Sequence, residues 1–243
     1  MAPKKTRKGA ALVTGGAKRV GKAICLALAE AGYDIALHYN RSEEEASSLA
    51  EEIEDRGGIC ETFRCDLSNA RATSSLIGTA HKTFPGLNLL VNSASIFEKS
   101  SFRGADNESF RRHMATNLQA PFILSRDFAN ICGQGQIINI LDTNIVKNKT
   151  AHFTYLLSKK ALHALTELSA LELAPDIRVN AIAPGFILPP VDNKKTNIDR
   201  LLQRVPLKKQ GAIEQILQSI EFFLTNTYLT GQIIYNDGGE HLT

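Results

Sequence analysis

The chain has 243 residues, 43% apolar and 22% charged, enough for one sizeable domain with a full core. Its formal charge of +3 comes from the N-terminus, where Lys4, Lys5, Arg7 and Lys8 precede any acid; from residue 9 onward 24 bases face 25 acids. That balance argues against nucleic acid as a partner and reads residues 1–9 as a basic disordered tail before a single domain over 10–243. Four cysteines (Cys25, Cys60, Cys65, Cys132) form no C-x-x-C pair and have no histidine cluster around them, so no metal site is expected and a reducing cytoplasm suits them. No apolar run approaches the roughly 18 residues of a membrane span, so neither a span nor a signal peptide is expected.

In chain order, residues 10–14 read as a short apolar strand running into Thr14-Gly15-Gly16-Ala17-Lys18-Arg19-Val20-Gly21, followed by an Ala- and Leu-rich helix over 22–31 that Gly32 closes. Further strands are predicted over 33–39, 59–65, 87–92, 137–141, 177–182 and 232–235. Between them lie helices over 43–55, 72–84, 107–126 (bent near Pro121), 155–174 and 211–225. Strands alternating with helices imply right-handed βαβ crossovers and a parallel sheet covered on both faces. Residues 186–210 form a long irregular stretch, of the kind that serves as a lid.

Two features carry chemistry. The first is Tyr155 with Lys159 at i, i+4 on one predicted helix, which makes the phenol and the ammonium neighbours along one face. A phenol with a free pKa of about 10 needs such help to exchange protons near neutrality, and a nearby cation favours the phenolate. The second is the glycine turn between the first strand and first helix, where a dinucleotide pyrophosphate meets a helix N-terminus; Gly15 allows the turn and Gly21 lets the helix pack close. The second strand then ends in His38-Tyr39-Asn40-Arg41-Ser42, with no acid to hold a ribose 2′-hydroxyl. Arg41 and Arg19, with Ser42 and Lys18, instead suit a 2′-phosphate, and two such contacts amount to about 2–4 kcal/mol, or roughly 30- to 1000-fold preference for NADPH.

In these residues the chain resembles the short-chain dehydrogenase/reductase superfamily over essentially everything after residue 9. The matching segments are the glycine turn, Asp66-Leu67, Leu90-Val91-Asn92-Ser93-Ala94, Asn117, Tyr155-x-x-x-Lys159, Arg178-Val179-Asn180 before Pro184-Gly185, and Thr230-Gly231-Gln232 to Asp237-Gly238-Gly239. The resemblance implies a Rossmann-like doubly wound sheet of about seven strands and a homotetramer. The helix carrying Ala161, Ala164, Leu165, Leu168 and Leu171 offers either core or subunit contact. It also implies that Asp66 and Leu67 frame the adenine, with Val20, Tyr39 and Asn40 in the cofactor site. Asn92, Ala94 and Ser95 would line the ribose side; Pro184, Gly185 and Ile187 would lie at the nicotinamide; and Asn117 would hold a water linked to Lys159.

Two departures narrow the branch. Arg19 stands where the superfamily's third turn glycine is usual, and Asp142 where its catalytic serine is usual, thirteen residues before Tyr155. Together with HYNRS and Ala94-Ser95-x-Phe97, these are similar to the pteridine reductases and the related dihydromonapterin and dihydrofolate reductases. In that branch an aromatic at Phe97 stacks on the pterin, and Ser95, Asp142 and Tyr155 complete the substrate site. An ionised Asp142 would repel the oxyanion of ketone reduction, whereas reduction of a C=N bond protonates nitrogen and leaves no oxyanion. Lys159 would pull the Tyr155 pKa down and Asp142 push it up, keeping the phenol protonated. The bases Lys194, Lys195, Arg200, Arg204, Lys208 and Lys209 form either a solvated face or an attractor for the glutamate of a folate. The alternatives are a general carbonyl or 3-ketoacyl reductase and an inactive NADPH-binding sensor.

Overall fold

A strand covered on both faces must be apolar on both. In Ala10–Val13 (β1), Ala11 and Val13 join one hydrophobic cluster while Ala10 and Leu12 join another. The computed structural model describes residues 7–188 and 202–243. Beside β1 lie Asp34–Tyr39 (β2), Cys60–Arg64 (β3), Leu87–Asn92 (β4), Gly135–Ile140 (β5), Ile177–Pro184 (β6) and Ile233–Asn236 (β7). All pairs are parallel and the order is β3-β2-β1-β4-β5-β6-β7. The described helices are Arg19–Glu30 (α1), Glu43–Asp55 (α2), Ala70–Thr83 (α3), Asn107–Met114 (α4), Ala120–Cys132 (α5), Phe153–Glu172 (α6) and Ile213–Thr225 (α7). The side chains of α1, α2 and α7 fill the first cluster, and those of α3 and α5 the second.

Because the order reverses between β1 and β4, the loops after these two strands diverge and leave a crevice at their carboxyl ends. That crevice positions everything that follows.

Three expectations need correction. The long helix predicted over 107–126 is broken by a π-helical turn at Ala115–Gln119 and continues to Cys132, where Gly133 (φ 72°) ends it. The break lies just before Pro121, close to where the bend was expected. The proline occupies the first turn of α5, directly after the π turn, where its missing N–H leaves a preceding carbonyl without the usual helical donor. The basic tail is shorter than expected, because the Arg7 guanidinium donates to both Asp34 oxygens at 2.7 Å and the Lys8 N–H donates to Gly32 O at 3.0 Å. Residues 1–6 lie outside the described residues, as do Lys194, Lys195, Arg200 and the rest of 189–201, within the stretch 186–210 expected to serve as a lid. Among the described residues no helix is long and apolar enough to cross a membrane.

Candidate active site

The first wall of the crevice is the turn after β1. Gly15 takes φ 64°, and a Cβ on Gly21 would stand 2.2 Å from Gly15 O, so only glycine lets the first turn of α1 close onto this loop. The Thr14 hydroxyl accepts from Ser93 and Ala94 N–H, both at 3.0 Å, which ties the turn to the end of β4. Beneath it His38 Nδ1 accepts the Gly15 N–H at 3.1 Å, leaving Nε2 to donate to Cys65 O at 3.0 Å. Burial lowers this imidazole to about 4, so it is neutral at pH 7 and keeps that tautomer. Arg19 opens α1 at φ 53°, a left-handed conformation that glycine adopts freely and arginine only at a cost of about 1–2 kcal/mol.

At the end of β2, Arg41 is exposed and near enough to Asp66 to help hold that carboxyl below its ordinary range, after the bonds Asp66 accepts from Ser68. The Asn40 amide donates to Asp66 at 3.4 Å. Lys18 departs from the expected clamp: its ammonium pairs with Glu45 at 2.6 Å, across to α2. Tyr39, Leu67 and Ile187 have their side chains in the core, so any part they take in cofactor binding falls to their backbone. A dinucleotide fits this crevice on the chain's own terms. The glycine cradle tolerates no Cβ, and the buried Asn92 Oδ1 has no partner among the described residues, while its Nδ2 donates to Asn139 at 2.8 Å.

The second wall carries Asp142, Tyr155, Lys159 and Asn117, brought together from β5, α6 and the π turn. The Tyr155 hydroxyl donates to Asp142 Oδ2 at 2.8 Å. Asp142 Oδ1 accepts the Asn144 N–H and side-chain amide, both at 2.7 Å, so the carboxylate caps the 3₁₀ turn Thr143–Val146 while facing the phenol. Burial, then the adjacent Asp142 charge, pushes the Tyr155 pKa well above its ordinary value. The expected downward pull from Lys159 is not what sets it. The buried ammonium donates to Ile140 O at 2.7 Å and lies 6.0 Å from the phenol ring centre. Burial brings Lys159 itself down to about 8, against an upward pull from Asp142.

Asn117 is fully occupied. Its Oδ1 accepts the Ile96 N–H at 2.9 Å, and its Nδ2 donates to Ile96 O at 3.0 Å and to the Ser158 hydroxyl at 3.1 Å. It clamps the 95–97 segment to α6, and the Ser95 hydroxyl leans on it at 3.3 Å. Phe97 is 58% exposed, edge-on to the Tyr155 ring at 4.7 Å and stacked at 4.1 Å on His152. Pro184 and Gly185 follow at the end of β6, where the Gly185 N–H donates to Asn236 O at 2.9 Å.

Sequence reasoning missed four participants: His152, Ser158, Thr143 and Asp237. Thr143 adjoins Asp142 in the chain and donates to the buried Asp237 carboxylate, which also accepts the Gly239 and His241 N–H groups. Only Asp237 had a signal, its place before two glycines, and that signal said nothing of its reach to the catalytic loop.

Hydride chemistry requires a dinucleotide and a proton carrier held side by side, and this fold sets a place for each at one end of one sheet. An oxidoreductase is the class so defined. The family model for short chain dehydrogenases matches residues 9–199, and the chain belongs to that family. A solved FolM alternative dihydrofolate reductase 1 from Brucella canis, complexed with NADP, superposes with a TM-score of 0.91 at 37% identity, covering 99% of this chain and 97% of that one. Pteridine reductase 1 of Leishmania tarentolae is 31% identical over 96% of each chain. The 3-oxoacyl-[acyl-carrier-protein] reductase FabG of Staphylococcus epidermidis is 29% identical over 96% of this chain and 98% of its own. Family membership makes a nicotinamide dinucleotide the cofactor.

Proposed function

We propose that the protein is an NADPH-dependent reductase of dihydropteridines, with a dihydropterin or dihydrofolate as substrate and a ring nitrogen as the proton acceptor. One observation carries the reading: the residue that accepts the Tyr155 O–H, at 2.8 Å, is an aspartate, Asp142. A carboxylate there opposes a nascent alkoxide but can accept the amino N–H groups of a pterin. NADPH supplies the hydride when bound, and the chain's residues do the rest. Tyr155 holds the proton to be delivered, kept on the phenol by burial and by Asp142. Lys159 resupplies it from the buried side, and Phe97, backed by His152, gives the pterin ring a flat surface. Arg19 and Arg41, with Ser42, take the 2′-phosphate, while Asn92 and the 93–95 backbone face the ribose. Exposed Leu157, Leu168 and Leu171 on α6 support assembly into a homotetramer through that helix.

The second reading, a 3-oxoacyl reductase, draws on the FabG relatives. NADPH consumption with dihydrobiopterin and dihydrofolate, measured beside simple ketones and a 3-oxoacyl thioester, tests both. The pterin reading expects the dihydropterins to exceed the carbonyl compounds in kcat/KM by at least roughly 100-fold, the equivalent of about 2.7 kcal/mol. A preference for the thioester overturns it.

A further inference from the structure

We propose that a cationic cavity beside the catalytic loop binds the glutamate carboxylates of a folate, so that the favoured substrate carries a tail. This rests on the pterin reading and selects within it. The cavity, about 380 Å³, is lined by Lys147, Lys149, Gln203, Arg204 and Lys208, with Pro206 and Thr243 completing its wall. Four cationic side chains thus converge, and among the described residues the lining adds no Asp or Glu side chain, only the Thr243 main-chain carboxylate. The nearby carboxylate is Glu240, one oxygen of which faces both Lys147 at 3.6 Å and Lys149 at 3.4 Å. One carboxylate thus answers two ammoniums and leaves Arg204 and Lys208 unanswered, so Glu240 neutralises the group only in part. Lys147 and Glu240 are largely withdrawn from water, with side-chain exposures of 12% and 13%, which weakens screening of the remaining positive charge.

The cavity is built on rigid neighbours of the active site. Its floor is tied down by the Thr243 hydroxyl on Arg204 O at 3.1 Å and by the Leu207 N–H on Gly238 O at 3.2 Å. Thr143 joins the same segment to the catalytic loop through Asp237. Lys147 follows Asp142 by way of the Thr143–Val146 turn, which at about 2 Å per residue separates the two backbones by roughly 10 Å. A p-aminobenzoyl spacer bridges a gap of that order, and its glutamate then brings two carboxylates to the lysines. Each γ-linked glutamate added beyond the first brings one more.

Steady-state kinetics with NADPH test this on the intact chain, using 7,8-dihydrobiopterin (no tail), 7,8-dihydrofolate and a dihydrofolate with three γ-linked glutamates. In the wild type, KM should fall from the first to the third, and added salt should raise KM for the two folates only. The double variant Lys149→Gln/Arg204→Gln should raise the dihydrofolate KM roughly tenfold with kcat kept, as two partly screened ion contacts are lost. Its dihydrobiopterin kinetics, which use neither residue, report that it is folded. If the wild type reduces both pterins and neither salt nor the double variant moves the dihydrofolate KM by as much as twofold, the cavity takes no tail. If the wild type reduces neither, the pterin reading itself is lost and the inference with it.

Discussion

Asp142→Ser asks whether the carboxylate holds the proton on Tyr155. The phenol donates to a charged acceptor at 2.8 Å, in a site where the phenol is buried. A charge-assisted bond of this kind is worth about 1.5–3 kcal/mol, which corresponds to roughly 1–2 pKa units removed from the tyrosine when the charge goes. At a fixed pH below the new pKa the phenolate fraction then rises about 10- to 100-fold. Alcohol oxidation with NADP⁺ needs that phenolate as base, so its rate rises with the fraction. Reduction of dihydropterin moves the other way, because the ring loses its anionic partner. Initial rates in both directions, read from NADPH absorbance at one pH, give the ratio of oxidation to reduction, with Tyr155→Phe as the inactive control. A ratio that changes by less than about twofold refutes the argument, since it means the carboxylate exerts no hold on the phenol.

Three further outcomes follow from the structure. With Lys159 brought down to about 8 by burial, its ammonium supplies protons below that pH, so kcat for reduction falls about tenfold per unit above it; Lys159→Met is slow and shows no such limb. The same depression makes the buried charge a stability penalty that is present below pH 8 and relieved as pH rises toward the ordinary lysine value, where the unfolded chain holds more protons; denaturant unfolding at pH 7 and pH 9 reads that sign. Arg19→Gly removes a strained left-handed arginine, so thermal stability holds or rises by up to about 1 kcal/mol while NADPH discrimination over NADH drops roughly tenfold; a stable variant with unchanged discrimination places the 2′-phosphate elsewhere.

The sheet was legible because its strands are short β-branched or Ala-rich runs separated by amphipathic helices, a pattern that admits few architectures. Glu43–Asp55 and Leu87–Asn92 match their expected bounds, since three glutamates open the first and Asn92 closes the second. The break at Ala115–Gln119 was not legible, because a π turn changes neither composition nor apolar spacing and Pro121 offered a more familiar cause. In the site, spacing correctly made Tyr155 and Lys159 neighbours but could not show that the ammonium bonds Ile140 O. Which partner a buried charge chooses depends on carbonyls exposed by another strand. The cavity around Lys147 and Lys149 was hidden for a like reason: its members lie more than fifty residues apart in the chain.

The bond between Thr143 and Asp237 spans 94 positions and couples the loop bearing Asp142 to the segment just after β7. The glycine turn, β1, β2 and β4 all precede residue 93, whereas the loop bearing Asp142 draws its anchor from Asp237. Loss of the Thr143–Asp237 bond would therefore leave the nucleotide turn in place and free the loop that bears Asp142.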